Sequence, residues 1–127
     1  MAKSYLPIFR PGDTITFGVT AAVSGGQLVE VGSADSTVAP AAAGSAKVVG
    51  VAGHDAGVGD LVTVEVAKAV HELTAAGAIA RGDLLGAAAD GAVSTLSEPA
   101  EGDAAPRALF LALTSATDGA LVRAIQL

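Results

Sequence analysis

Hydrophobic positions in this chain recur with a period of two, in short runs separated by glycine-rich breaks. Ile15, Phe17 and Val19 alternate with Thr14, Thr16 and Gly18, which predicts a strand with one buried face. Leu28 to Val31 predicts the next strand, with Val29 and Val31 sharing a face. Residues 33–46 are of low complexity. Pro40 and Gly44 leave no room for a stable alanine helix there, so the segment reads as a loop with a short strand near Val38. Lys47 to Ala52 predicts a strand in which Gly50 marks a bulge or a close backbone approach. Gly53 to Gly59 predicts a turn. Leu61 to Leu73 carries the strongest strand pattern, with Val62, Val64 and Val66 on one face and a bend or hairpin near Ala67. Ala75-Ala76-Gly77 predicts a turn, Leu84 to Ala88 a strand, and Asp90-Gly91 a hairpin leading back through Val93. Leu109, Leu111 and Leu113 alternate in one further strand. Leu121, Arg123, Ile125 and Leu127 alternate in the last, which runs to the C-terminus.

One phrase precedes many of these strands. A glycine, often with an acid beside it, is followed by paired aliphatics: Gly12-Asp13-Thr14-Ile15, Gly26-Gln27-Leu28-Val29, Gly59-Asp60-Leu61-Val62 and Gly82-Asp83-Leu84-Leu85. Gly119-Ala120-Leu121-Val122 is a fainter copy. Gly12, Gly26, Gly59 and Gly82 are therefore expected in structural turns, with the Asp60 and Asp83 carboxylates capping them by accepting backbone N–H groups. Many short strands at such spacing predict an all-β fold, a small single-domain barrel or sandwich over 12–127. Residues 1–11 predict an extended arm, because Pro7 and Pro11 bias the residues before them away from helix. Tyr5, Leu6, Ile8 and Phe9 make that arm apolar, suited either to a first strand on its own core or to a tail that orders against a partner.

Composition narrows the function. A chain of 127 residues buries about two thirds of its unfolded surface. The hydrophobic fraction is 51%, mostly alanine and valine, with 3% aromatics and no tryptophan, so association with a partner or with other copies is a plausible supplement to a core of small pieces. Zero cysteines exclude disulfides, thiolate catalysis and cysteine-ligated metals. The formal charge of -6, without a Lys/Arg run, argues against nucleic-acid binding and against an anionic membrane surface. Neither a signal-peptide core nor a run of about 20 apolar residues is present, so the protein is expected to be made and used without crossing a membrane.

The candidate chemistry is thin. His54-Asp55 and His71-Glu72 are adjacent pairs, whose side chains point opposite ways on a strand, and no third ligand stands at metal spacing. Gly57-Val58-Gly59 lacks the third glycine and the helix of a dinucleotide loop. Arg81-Gly82-Asp83 matches an integrin-binding tripeptide but overlaps the turn phrase. A biotinyl-type carrier needs a lysine at a hairpin tip, whereas Lys68 is expected within the strongest strand. No catalytic residue, metal ligand or cofactor is assigned.

Taken in order, Phe9-Arg10-Pro11-Gly12, Val23-Ser24-Gly25-Gly26-Gln27-Leu28-Val29, Ser45-Ala46-Lys47-Val48-Val49-Gly50-Val51-Ala52, Gly77-Ala78-Ile79-Ala80-Arg81-Gly82-Asp83 and Ala88-Ala89-Asp90-Gly91 resemble the small capsid cement, or decoration, proteins of tailed bacteriophages and prophages. The resemblance spans nearly the whole chain. It implies a β-tulip-like domain without catalytic residues, bound to the outside of an expanded capsid at local three-fold axes, often as a homotrimer. The partners it implies are the major capsid protein and further copies of the chain. Synthesis would be in the bacterial host cytoplasm. The arm of such proteins lies against the coat lattice, which points to Tyr5, Pro7, Ile8, Phe9 and Arg10 as capsid-binding residues. The acidic segment 97–106 departs from the family in length. The rival reading is a head-fibre or host-surface, glycan-binding adhesin presenting loops 33–46 and 97–106, although these loops lack aromatics.

Overall fold

The computed structural model describes residues 13–97, 101–102 and 107–127. Tyr5, Pro7, Ile8, Phe9, Arg10 and Gly12, and most of 97–106, lie outside the described residues. The described residues form ten strands: β1 (Thr14–Val19), β2 (Leu28–Val31), β3 (Thr37–Pro40), β4 (Val48–Ala52), β5 (Leu61–Glu65), β6 (Val70–Thr74), β7 (Leu84–Ala87), β8 (Val93–Thr95), β9 (Phe110–Ala112) and β10 (Leu121–Gln126). The described residues contain no α-helix, only a 3-10 turn at Ala89–Gly91. The fold is all-β, as the alternation predicts. β1-β3-β2-β4-β5 close a barrel, and β6-β10-β9-β7-β8 form a second sheet.

The two units repeat one topology. β1 pairs antiparallel with β5, as β6 does with β10. The β4–β5 and β2–β4 pairings recur as β9–β10 and β7–β9. The β2–β3 hairpin recurs as β7–β8. Parallel pairing of β1 with β3 closes the barrel, and its counterpart is a single parallel bridge from Ala75 to Val93. The interiors correspond too. Val19, Val23, Val29, Ala52, Val62 and Val64 fill the barrel. Ala75, Ile79, Leu85, Ala112, Val122 and Ala124 fill the same places in the second unit. Val62 and Val64 are fully buried, each stabilising the fold by about 2 kcal/mol.

Each unit is small, and they share a core. Leu28, Ala41 and Val51, on the outside of the barrel, belong to the same apolar cluster as Phe110, Leu85 and Val93. The β7–β8 hairpin makes the join. Asp90 and Gly91 have φ of 56° and 71°, the doubly positive turn that suits a two-residue hairpin. The Gly91 amide donates to the Ala41 carbonyl at 3.0 Å, and Gln27 Nε2 donates to the Asp90 carbonyl at 2.9 Å. A Cβ on Gly91 would stand 2.8 Å from the Leu28 carbonyl oxygen, so only glycine allows this approach.

Several expectations are corrected. Val29 and Val31 do not share a buried face: Val29 is 0% exposed and Val31 48%. Leu28 and Val29 are both buried because β2 lies between the two cores, and the register shifts at Val29/Glu30. The inward residues of β9 are Phe110 and Ala112, while Leu111 is half-buried and Leu113 exposed. In β10, Val122 and Ala124 point inward and Leu121 and Leu127 are exposed. The bend after β5 is real, but β5 and β6 do not pair. Residues 66–69 carry the chain from barrel to second sheet, and Lys68 is exposed in that bend rather than within a strand.

Gly50 meets its expectation. It sits beside the register shift, and an added Cβ would run into the Glu65 carbonyl oxygen. Gly50→Ala is expected to cost about 3 kcal/mol, since backbone must move. Gly59→Ala, with open space around it but φ of 86°, should cost about 1 kcal/mol. Chemical denaturation of the two variants checks this. Equal losses would show that β4 accommodates the side chain.

Candidate functional site

The repeated phrase folds into four turns of one geometry. In Ser24–Gln27, Gly57–Asp60, Ala80–Asp83 and Thr117–Ala120, the fourth amide donates to the first carbonyl at 3.1, 3.0, 3.0 and 3.1 Å. The third residue is glycine each time, with φ of 88°, 86°, 90° and 80° at Gly26, Gly59, Gly82 and Gly119. Type II turns need that conformation. Asp60 Oδ2 accepts the Gly57 amide at 3.2 Å, and Asp83 Oδ2 accepts the Ala80 amide at 3.0 Å. Gln27 Oε1 takes the Ser24 amide in the same way at 2.8 Å.

The turns stand in pairs, one pair per unit. Val23 and Ala56 exchange backbone hydrogen bonds at 2.9 and 3.0 Å, and Ile79 and Ala116 do so at 2.8 and 2.9 Å. This pairing explains His54-Asp55. His54 Nε2 accepts the Thr63 amide at 3.2 Å, and Asp55 Oδ1 accepts the Gly25 amide at 2.8 Å. In the second unit Thr114 Oγ1 accepts the Arg123 amide, and Ser115 Oγ the Arg81 amide, from equivalent places. Two hydroxyl residues do the same work as the histidine and aspartate, so the pair holds a turn.

The other reactive candidates are engaged as well. Asp83 of the Arg81-Gly82-Asp83 tripeptide also accepts the Thr95 hydroxyl at 2.8 Å. The Ala80 amide, then Thr95, hold its carboxyl below the ordinary aspartate range. Glu72 pairs with Arg123 at 3.3 Å in the open, where such a pair contributes little. His71 reaches Gln126 and packs edge-on against Phe110, ring centres 6.2 Å apart. Glu30 holds the loop after β3: its Oε1 accepts the Ala42 amide at 2.6 Å and its Oε2 faces Lys47 at 3.4 Å. The Ala42 amide is the chief cause holding the Glu30 carboxyl below its usual range; burial opposes it, and Ser45 and Lys47 add smaller lowering effects.

Among the described residues no three His, Asp or Glu side chains group closely enough to hold a metal ion. An open cleft of about 530 Å³ lies where turns of the two units meet, lined by Gln27, Glu72, Thr74, Asp90, Asp118 and Leu121. It is acidic and holds no lysine or arginine. The sequence reading missed this cleft and the duplication that makes it. The signal for both was the spacing of the four glycine turns, whose equivalence shows only once the strands between them are paired.

A family model described as phage cement protein matches residues 9–124. Among solved structures, the N base of the head fibre gp8.5 of bacteriophage phi29 is similar in fold, with a TM-score of 0.71 and 23% identity over 90% of this chain and 92% of that one. No curated protein sequence matches the chain.

The carboxylates at Glu30 and Asp83 set an acid limit. Each has a lower pKa folded than unfolded, so the unfolded chain takes up protons first as pH falls. Their stabilisation is present at neutral pH and is lost as pH drops below about 4. The denaturation midpoint should hold between pH 7 and about 5, then decline. Replacing both residues (Glu30→Gln with Asp83→Asn) should lower the plateau and flatten the decline. An unchanged decline would place the acid sensitivity in other carboxylates.

Proposed function

This chain belongs to the phage cement protein family, and we propose that it decorates the outer surface of a phage head. In this reading it sits at local three-fold axes as a homotrimer and locks neighbouring copies of the major capsid protein against the pressure of packaged DNA. The match over residues 9–124 carries the reading. The engagement of Asp60, Asp83, His54 and Asp55 in turn hydrogen bonds agrees with a structural rather than catalytic role. Many modest contacts repeated over a lattice supply avidity without any single strong site.

The arm is the proposed first contact. Tyr5, Pro7, Ile8, Phe9 and Arg10 combine apolar surface, restricted backbone and one cation. The proline-stiffened segment loses less conformational entropy on docking than a flexible one. A second reading, the base of a head fibre, is favoured by the fold likeness to the phi29 head-fibre N base. Electron microscopy of the virion separates them: density that ends at one small domain per copy fits decoration, and density continuing outward fits a fibre base.

Deleting residues 1–11 is expected to leave the β domain folded, with an unchanged far-ultraviolet spectrum, and to weaken binding to undecorated capsids at least about tenfold. Equal decoration by full-length and truncated protein would remove the arm from the contact.

A further inference from the structure

One row on the outer face of the second sheet is apolar where a solvated sheet face is ordinarily polar, and the row beside it carries the Glu72–Arg123 pair. Directly opposed residues share a face, and the registers set Val70 opposite Ile125, Ile125 opposite Leu111 and Leu111 opposite Leu84. Leu96 donates its amide to the Leu84 carbonyl at 2.9 Å and extends the row over Gly86. Val70, Leu84 and nearby Leu113 are 55%, 48% and 46% exposed.

The barrel shows what such a row is for. Its equivalent positions are Thr14, Glu65, Val51, Leu28 and Ala41, joined by the same registers and by the Ala41 amide donating to Leu28. The row is polar at Thr14 and Glu65. It is apolar at Leu28, Ala41 and Val51, which are 0%, 1% and 2% exposed because they pack into the core of the second unit with Leu85, Val93 and Phe110, where the β7–β8 hairpin reaches Ala41 through the Gly91 amide. Within that hairpin Ala87, Ala88 and Gly91 are buried. The tip of the matching hairpin of the barrel, β2–β3, is open to solvent: Val31 and Ser33 to Ser36 are all exposed. One interface is therefore used inside the chain, and both of its complementary halves are left over, one on each unit.

We propose that the leftover halves meet between copies: the β2–β3 hairpin of one chain seats on the Leu84–Leu96–Leu111 face of the next. The fit is not an identical copy. Ser36 carries a Cβ where Gly91 has none, so the hairpin seats further from β7. Leu96 and Leu111, larger than their counterparts Ala41 and Val51, fill that distance. Such a contact is head-to-tail, so it closes into a ring or runs on as a chain of copies. It gives a surface to the self-association proposed above and rests on that reading. It does not depend on how the arm binds a capsid.

Two exposed-site variants test it in the purified full-length protein, by sedimentation equilibrium. Leu84→Lys spoils the face, and Val31→Lys spoils the hairpin. Each alone should weaken self-association at least about tenfold, with unchanged thermal melting. Mixed together, they retain one intact interface per pair and should form heterodimers that grow no further. Four results would overturn the proposal. In the first, the wild-type protein stays monomeric at millimolar concentration while still decorating capsids, which gives the face to the coat. In the second, Leu84→Lys acts and Val31→Lys does not, which indicates face-to-face pairing. In the third, deleting residues 1–11 creates association that the full chain lacks, which gives the face to the chain's own arm. In the fourth, the mixture shows no heterodimer.

Discussion

Two antiparallel bridges, Val23 with Ala56 and Ile79 with Ala116, are the constraint on which the remaining structure hangs. Each ties together two glycine turns that would otherwise be independent loops, and between them they fix where four strands begin. Gly26, Gly59, Gly82 and Gly119 supply the positive φ that lets the chain reverse within one turn of the bridge. The amides of these glycines then donate to Ala52, Val19, Ala112 and Ala75, at the end of the strand leading into the partner turn. With both ends of a strand pair fixed in this way, a core of valines and alanines can be closed without large side chains to define its register.

A core of that kind has a cost, and the fold meets it by joining two units. Seven buried residues, mostly valine, define the barrel interior. That is modest burial against the entropy of ordering five strands. The second unit adds Phe110, Leu73 and Leu85 and extends its cluster onto Leu28, Ala41 and Val51 of the barrel. β2 is buried on both faces as a result, and it can be so only because Gly91 lets the partner hairpin come within contact of its backbone.

What was legible in the sequence follows from the same physics. Turn chemistry is local, so Gly59-Asp60, Gly82-Asp83 and Asp90-Gly91 announced their turns, and Gly50 announced a crowded strand. Face assignment depends on what packs where, which is not local. Leu109, Leu111 and Leu113 have the period of a buried stripe. Yet of these only Leu109, just before β9, joins the core, and within β9 the core is filled from the other face by Phe110 and Ala112, because the sheet carries apolar residues on both faces. His54-Asp55 was ambiguous for a related reason. Its role becomes plain only beside Thr114-Ser115, and nothing in the four side chains announces that they occupy equivalent places.

The duplication also explains why the two halves of the chain differ where they do. If the units were free copies, selection on folding alone would keep both outer rows polar, because an exposed apolar row invites aggregation. The barrel obeys this where its row meets water, with Thr14 and Glu65. The second unit has Val70 and Ile125 in those places. Along the row itself the departures run in one direction, from Thr14 to Val70, Glu65 to Ile125, Val51 to Leu111 and Ala41 to Leu96, while the neighbouring row of the same face gains charge, from Thr16 to Glu72 and Thr63 to Arg123. The apolar change is confined to one row, Val70, Ile125, Leu111 and Leu84, and that row rather than the whole outer face is the part of the second sheet suited to being covered.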